Sequence, residues 1–193
     1  MDKNEKNHRT ALLVMDIQNA ITAHIQNPEN LLSNINKAVK AAHESGVKVI
    51  YVRLGFREGH PEIDSRHPRF GALKESKIMF TESHEGTSFH PDITLEANDI
   101  VVVKKRVSAF AGSDLDIILR AHRIEFLILS GISTTGVVLG TLREAADKDY
   151  RVTVLTDACA DPDPEVHEFL VNKIFPFSGE TITTNEWTHN IQL

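Results

Sequence analysis

The chain has 193 residues, enough to bury one substantial core, and is expected to form a single domain over 1–193, with residues 1–9 as a polar N-terminal tail. Its 27 acidic and 21 basic residues give a net charge of −6, a globular balance without the basic bias that nucleic-acid binding requires. No apolar run approaches the roughly 18 residues of a membrane span, the start "MDKNEKNHRT" lacks a signal-peptide core, and a lone Cys159 excludes an internal disulfide or a multi-cysteine zinc site; a cytoplasmic protein is expected.

In chain order, "ALLVMD" (11–16) is a short, nearly continuous apolar run, the pattern of a parallel strand buried on both faces, and it ends on Asp16. Residues 27–46 then place Leu31, Leu32, Ile35, Val39 and Ala42 at helical spacing and close on Gly46, which suits a C-terminal cap. "VKVIYVR" (47–53) is the next strand. From Leu54 to Asn98 the chain is polar and rich in Gly, Pro and His; a connection that long carries function or conceals helix, and "PRFGALKESKIMF" (68–80) is a candidate short helix.

"DIVVVK" (99–104), "EFLILSG" (125–131), "RVTVLTD" (151–157) and the weaker "ETITT" (180–184) supply the remaining strands. Between them, "GSDLDIILRAHR" (112–123) and "DPDPEVHEFLVNKIF" (161–175) are helical patterns opening on Ser or Asp, which suit N-caps. A third amphipathic helix begins with Val137 and Val138. This alternation predicts an α/β fold, a three-layer αβα sandwich with a six-stranded, mostly parallel sheet wound by right-handed crossovers.

In such a sheet, ligands bind at the carboxyl ends of the strands, where strand order reverses. Asp16 stands at the first of these ends; following five apolar residues, it is expected to be partly desolvated, with a raised pKa suited to proton transfer, although a cap is the plainer role. "VVVKKRVSAF" brings Lys104 and Lys105 to the third, of which alternation points one inward. "SGISTTGVV" (130–138) is a strand-to-helix elbow whose backbone N–H groups, with Gly131 and Gly136 permitting close approach, suit an oxyanion site. Cys159, in "TDACAD", fits a small buried hydrophobe better than a nucleophile. Arg53, Arg57 and His60 are candidates for contact with an anionic substrate or, equally, a solvated loop.

Three stretches carry a resemblance: "LLVMDIQNA" (12–20), "VVVKKRVSAFAGSDLD" (101–116) and "SGISTTGVVLGTLREAADKDYRVTVLTDACAD" (130–161). From about Ala11 to Trp187 the chain resembles the isochorismatase-like superfamily of cysteine hydrolases. The resemblance implies a six-stranded αβα fold, assembly as a homodimer or homotetramer, a small-molecule substrate, no nucleic-acid or membrane partner, and no cofactor. It also implies an Asp, Lys and Cys triad, with the aspartate at Asp16, the lysine at Lys104 rather than Lys105, and Val137 in the cysteine column. Family members commonly have a cis peptide just after "GI", which corresponds to Ile132–Ser133. The substrate and oxyanion set implied is Ser133, Thr134, Gly136 and Val137, with Gln18, Arg53 and Phe110.

A valine cannot attack a carbonyl, so the expected chemistry is acid–base hydrolysis by water through Asp16 and Lys104, on a vinyl ether or an amide-type substrate. Isochorismatases offer the vinyl-ether precedent, but "GISTT" differs from their elbow and the compound does not transfer. Ser133, Thr134 or Thr135 as replacement nucleophile competes with helix capping. No metal is expected, since His60 and His67 are separated by loop residues and the Asp-x-His pattern after the second strand is absent. The remaining alternative is a catalytically silent small-molecule binding protein.

Overall fold

A computed structural model describes residues 2–75 and 80–192. Residues read from sequence as part of a polar tail form helix α1, Lys3–His8, started by Asp2, whose side chain accepts from the Glu5 N–H at 2.8 Å. Strand β1, Thr10–Met15, is buried throughout. The single turn α2, Asn19–Thr22, and the long α3, Glu29–Glu44, follow. Gly46 ends α3 with φ +72°, so that Val47 N–H reaches the Ala42 carbonyl at 2.9 Å, the geometry a left-handed residue permits.

Next come β2, Lys48–Leu54, the short α4, Gly71–Glu75, and β3, Ile100–Lys104. Residues 76–79 of the expected helix at 68–80 lie outside the described residues. After α5, Leu115–Ala121, strand β4 runs Phe126–Ile132 and leads through a π-type turn, Thr134–Val138, into α6, Leu139–Asp147. Strand β5, Arg151–Ala160, is three residues longer at its end than the sequence pattern indicates, and its register against β4 shifts between Leu129 and Gly131. The chain closes with α7, Pro164–Phe169, β6, Glu180–Ile182, and α8, Thr184–Gln192, a helix the sequence reading does not anticipate.

The six strands lie in the order β3-β2-β1-β4-β5-β6, every neighbouring pair parallel. Successive residues of each strand face opposite layers. Leu13, Met15, Leu127 and Leu129 pack with Leu115 and Leu119 of α5 and Leu142 and Ala145 of α6. Leu12, Val14, Val49 and Ile128 pack on the other side with Leu32, Ile35 and Val39 of α3 and with Trp187 of α8. The chain steps outward from β1 to β3 and then, with β4, starts again on the other side of β1, so the sheet's switch point lies between β1 and β4. Among the described residues no helix is long and apolar enough to cross a membrane.

Candidate active site

At the switch point β1 releases the chain through Asp16, whose φ of +58° is a left-handed conformation that Asp tolerates better than most residues. Its N–H remains tied to the Val52 carbonyl of β2 at 2.8 Å. Beside it, Gly131 of β4 has φ +147°, and a Cβ there would stand 2.3 Å from the Met15 carbonyl oxygen. Only glycine lets the two strands approach this closely at their carboxyl ends, in register Met15 to Gly131.

Lys104, the last residue of β3, is 2% exposed and crosses toward β1, placing Nζ 2.8 Å from Asp16 Oδ2. The same ammonium donates to the carbonyls of Arg106 at 3.0 Å and Val107 at 2.9 Å, so its three N–H donors are all committed. Lys105 turns the other way, to the Gly55 carbonyl at 2.6 Å and to Glu82. Burial pushes the Asp16 carboxyl above its ordinary range, opposed by Lys104 and more weakly by Arg69. Asp16 Oδ1 is buried and has no protein hydrogen-bond partner among the described residues.

The elbow after β4 contains a cis peptide bond between Ile132 and Ser133, at the place the family resemblance indicates. Val138 N–H reaches back five residues to the Ser133 carbonyl at 3.2 Å, a widened turn of a kind frequent at functional sites. Asp161 holds the elbow from outside, accepting from Thr135 N–H at 2.8 Å and Thr135 Oγ1 at 2.6 Å.

Asp16, Lys104, Ser133 and Val137 share one cavity of about 170 Å³, closed by Leu54, Val107, Ile132 and Pro162 and by Ile21, His24, Arg69 and Phe70 from the segments after β1 and β2. A larger hollow of about 650 Å³ lies elsewhere, lined by residues such as Lys6, Phe126 and Arg151 at the opposite ends of the strands; it holds none of these groups.

An isochorismatase domain model matches residues 10–186. The chain belongs to the isochorismatase family. It is 32% identical to the ureidoacrylate amidohydrolase RutB of Acinetobacter baylyi, over 96% of this chain and 86% of that one. It is also 29% identical to a probable inactive nicotinamidase of Arabidopsis thaliana, over 97% and 98% of the two chains. Among solved structures, an isochorismatase family protein from Burkholderia thailandensis superposes with a TM-score of 0.83 at 25% identity, covering 97% of each chain.

The other residues implied by the isochorismatase-family resemblance lie outside the cavity wall. Gln18 is fully buried and clamps the end of β2, accepting from Leu54 N–H and donating to the carbonyls of Leu54 and Thr87, each at 2.8 Å. Arg53 donates to the carbonyls of Glu82 at 3.1 Å and Thr87 at 3.4 Å, stapling the long connection rather than facing the cavity. Phe110 is in the core, its ring stacked on Tyr150 with centroids 6.1 Å apart. Thr134 is buried and pairs with His167 Nδ1 at 2.8 Å. Gly136 lies beneath Ser133, whose Oγ would be 2.7 Å from a Cβ at that position.

Cys159 is buried in β5, in register with Gly131, and burial pushes its thiol up to about 12, which makes it an inert core residue. Arg57 is engaged by Glu62 at 2.7 Å. Among the described residues no group of three or more His, Cys, Asp or Glu side chains is placed to hold a metal ion. Sequence reasoning missed Ile21, His24, Arg69 and Phe70 as cavity residues. They sit in segments without strand or helix periodicity, and only a tertiary anchor reveals them: Phe70 packs edge-on against the fully buried Phe56, with centroids 5.6 Å apart.

Proposed function

We propose that this protein hydrolyses a small molecule of vinyl-ether or amide type by addition of water, with Asp16 as the acid–base group, Lys104 as its fixed partner and no covalent intermediate. The observation that carries this reading is Asp16 Oδ1, buried on the cavity wall and without a protein partner among the described residues while Oδ2 is held by Lys104. An oxygen that faces the cavity without a protein partner is placed to exchange a proton with bound substrate.

With its donors committed, Lys104 acts on Asp16 rather than on substrate: it fixes the carboxyl and offsets the desolvation of its ionised form. In the vinyl-ether case the protonated carboxyl gives its proton to carbon, water adds to the resulting cation as the carboxylate takes a proton from it, and the hemiketal formed breaks its C–O bond to release the alcohol. In the amide case the carboxylate takes a proton from water as the oxygen adds to the carbonyl, and then gives that proton to the nitrogen as the C–N bond breaks and the amine leaves. Val137, in the cysteine column of the family resemblance, contributes an apolar wall and no nucleophile. The similarity to an amidohydrolase supports the amide-type substrate as the first to try.

A second reading is a silent binding protein, favoured by the alkyl side chain of Val137 in the cavity and by the similarity to an inactive relative. Against it stands the buried Asp16–Lys104 pair, which is expensive to desolvate and has no evident use in a pocket that only binds. The test is a panel of ureido acids, primary amides and vinyl ethers, with product release followed by mass spectrometry. The expected result is turnover of one class, abolished in Asp16→Asn and retained in Cys159→Ser. No turnover of any class supports the silent reading, and an acyl adduct on the intact protein during turnover overturns the noncovalent mechanism.

A further inference from the structure

The cavity wall contains a cation left without a hydrogen-bonded or ion-paired partner among the described residues. Four titratable side chains line it, Asp16, Lys104, His24 and Arg69. Asp16 and Lys104 are paired at 2.8 Å and cancel one another, whereas the Arg69 guanidinium has no hydrogen bond or ion pair among the described residues. Asp16, Lys104 and Arg69 together therefore give the wall a net charge of about +1, set by Arg69.

The backbone of Arg69 is held by its surroundings. Its own N–H and that of Phe70 both donate to His67 Nδ1 at 3.2 Å, and Phe70 is 2% exposed in the small core built around Phe56. That anchor sends the guanidinium over the elbow, where a Cβ on Gly136 would be 3.5 Å from each of its terminal nitrogens. The guanidinium thus lies beside the elbow at Gly136, and Arg69, itself exposed, stands at the open side of a cavity whose inner end is Asp16.

We infer that the substrate is a small monocarboxylate, and that Arg69 holds its carboxylate while the reacting end lies against Asp16 Oδ1. A guanidinium presents two parallel N–H donors that match a carboxylate, an ammonium does not, and the cavity of about 170 Å³ admits only a small acid. Arg69 is then a specificity-determining residue; this rests on the hydrolase reading for the identity of the reacting end, but the recognition of the anion is separable from it.

The test uses the intact protein and matched probes that differ by one charge: N-carbamoylglycine, acrylate and butyrate, each beside its primary amide, with binding followed by ligand-observed NMR. The expected result is that at least one acid binds more tightly than its amide by roughly ten-fold or more. That preference disappears in Arg69→Gln and is only partly restored in Arg69→Lys. No acid-over-amide preference in the wild-type protein, including no binding at all, overturns the inference, as does a preference that survives Arg69→Gln. Acid-selective binding lost in Arg69→Gln without turnover of any compound keeps the inference and sinks the hydrolase reading. Turnover of amides at rates indifferent to Arg69, without acid preference, does the reverse.

Discussion

At the scale of single residues the chemistry narrows to one carboxyl group. Burial raises the Asp16 pKa above its ordinary value near 3.8, against the pull of Lys104 and then Arg69. If Asp16 works as an acid, the protonated form is active, and the rate is full at low pH and falls as pH climbs through the raised value. If it works as a base the slope is inverted, with the rate rising over the same range. Folding follows the acid direction in either case: the contribution of Asp16 to stability is full below 3.8 and is lost as pH rises through the raised value. The kcat/KM profile of the wild-type protein is expected to show this inflection on the elevated side of the ordinary carboxylate range; a flat profile there removes Asp16 from the proton transfer. Asp16 and Lys104 were legible in sequence because each ends a strand-like run. Arg69 was not, because nothing in its local pattern marks which loop cation a buried aromatic neighbour will aim inward.

At the scale of elements the site depends on two strands meeting and on one turn. Gly131 has a φ of +147° and no room for a Cβ, which would fall 2.3 Å from the Met15 carbonyl. Gly131→Ala is therefore expected to lose about 3 kcal/mol or more of stability by forcing β1 and β4 apart, and to lose activity in the fraction that still folds. Urea unfolding combined with activity of the folded protein checks this, and wild-type values in both would show that the strand spacing does not set the site. Strands β1, β2 and β4 were legible because runs buried on both faces are nearly continuously apolar, and β3 and β5 because their runs are apolar although one face is partly exposed. Helices α1 and α8 were not: α1 is short and largely polar, and the buried face of α8 rests mainly on Trp187 and Ile191. The long connection was seen as a place for function but not as a wall, since its small core of Phe56, Ile63, Phe70 and Phe80 has no periodic spacing.

At the scale of the whole molecule, the question is whether the sheet gathers Asp16 and Lys104 for stability or for use. Two charges taken out of water lose several kcal/mol of hydration each, and replacing such a pair with apolar groups of similar volume is commonly neutral or stabilising by about 1–4 kcal/mol. Removing one partner is worse, by about 3–5 kcal/mol, because the other charge stays buried and unpaired. Lys104→Met alone is thus expected to be strongly destabilised, since Asp16, 5% exposed, would stay buried without its ion pair and with only the weaker influence of Arg69 among the described residues. The double variant Asp16→Leu/Lys104→Met is expected to recover most or all of that loss, through apolar contacts with the neighbouring Ile21, Val107, Ile132 and Val137, while remaining without hydrolase activity. Denaturant midpoints for wild type, single and double variants decide it. A double variant as unstable as the single would mean the pair holds the switch point together; recovery without activity would mean the fold retains a costly ion pair for its chemistry.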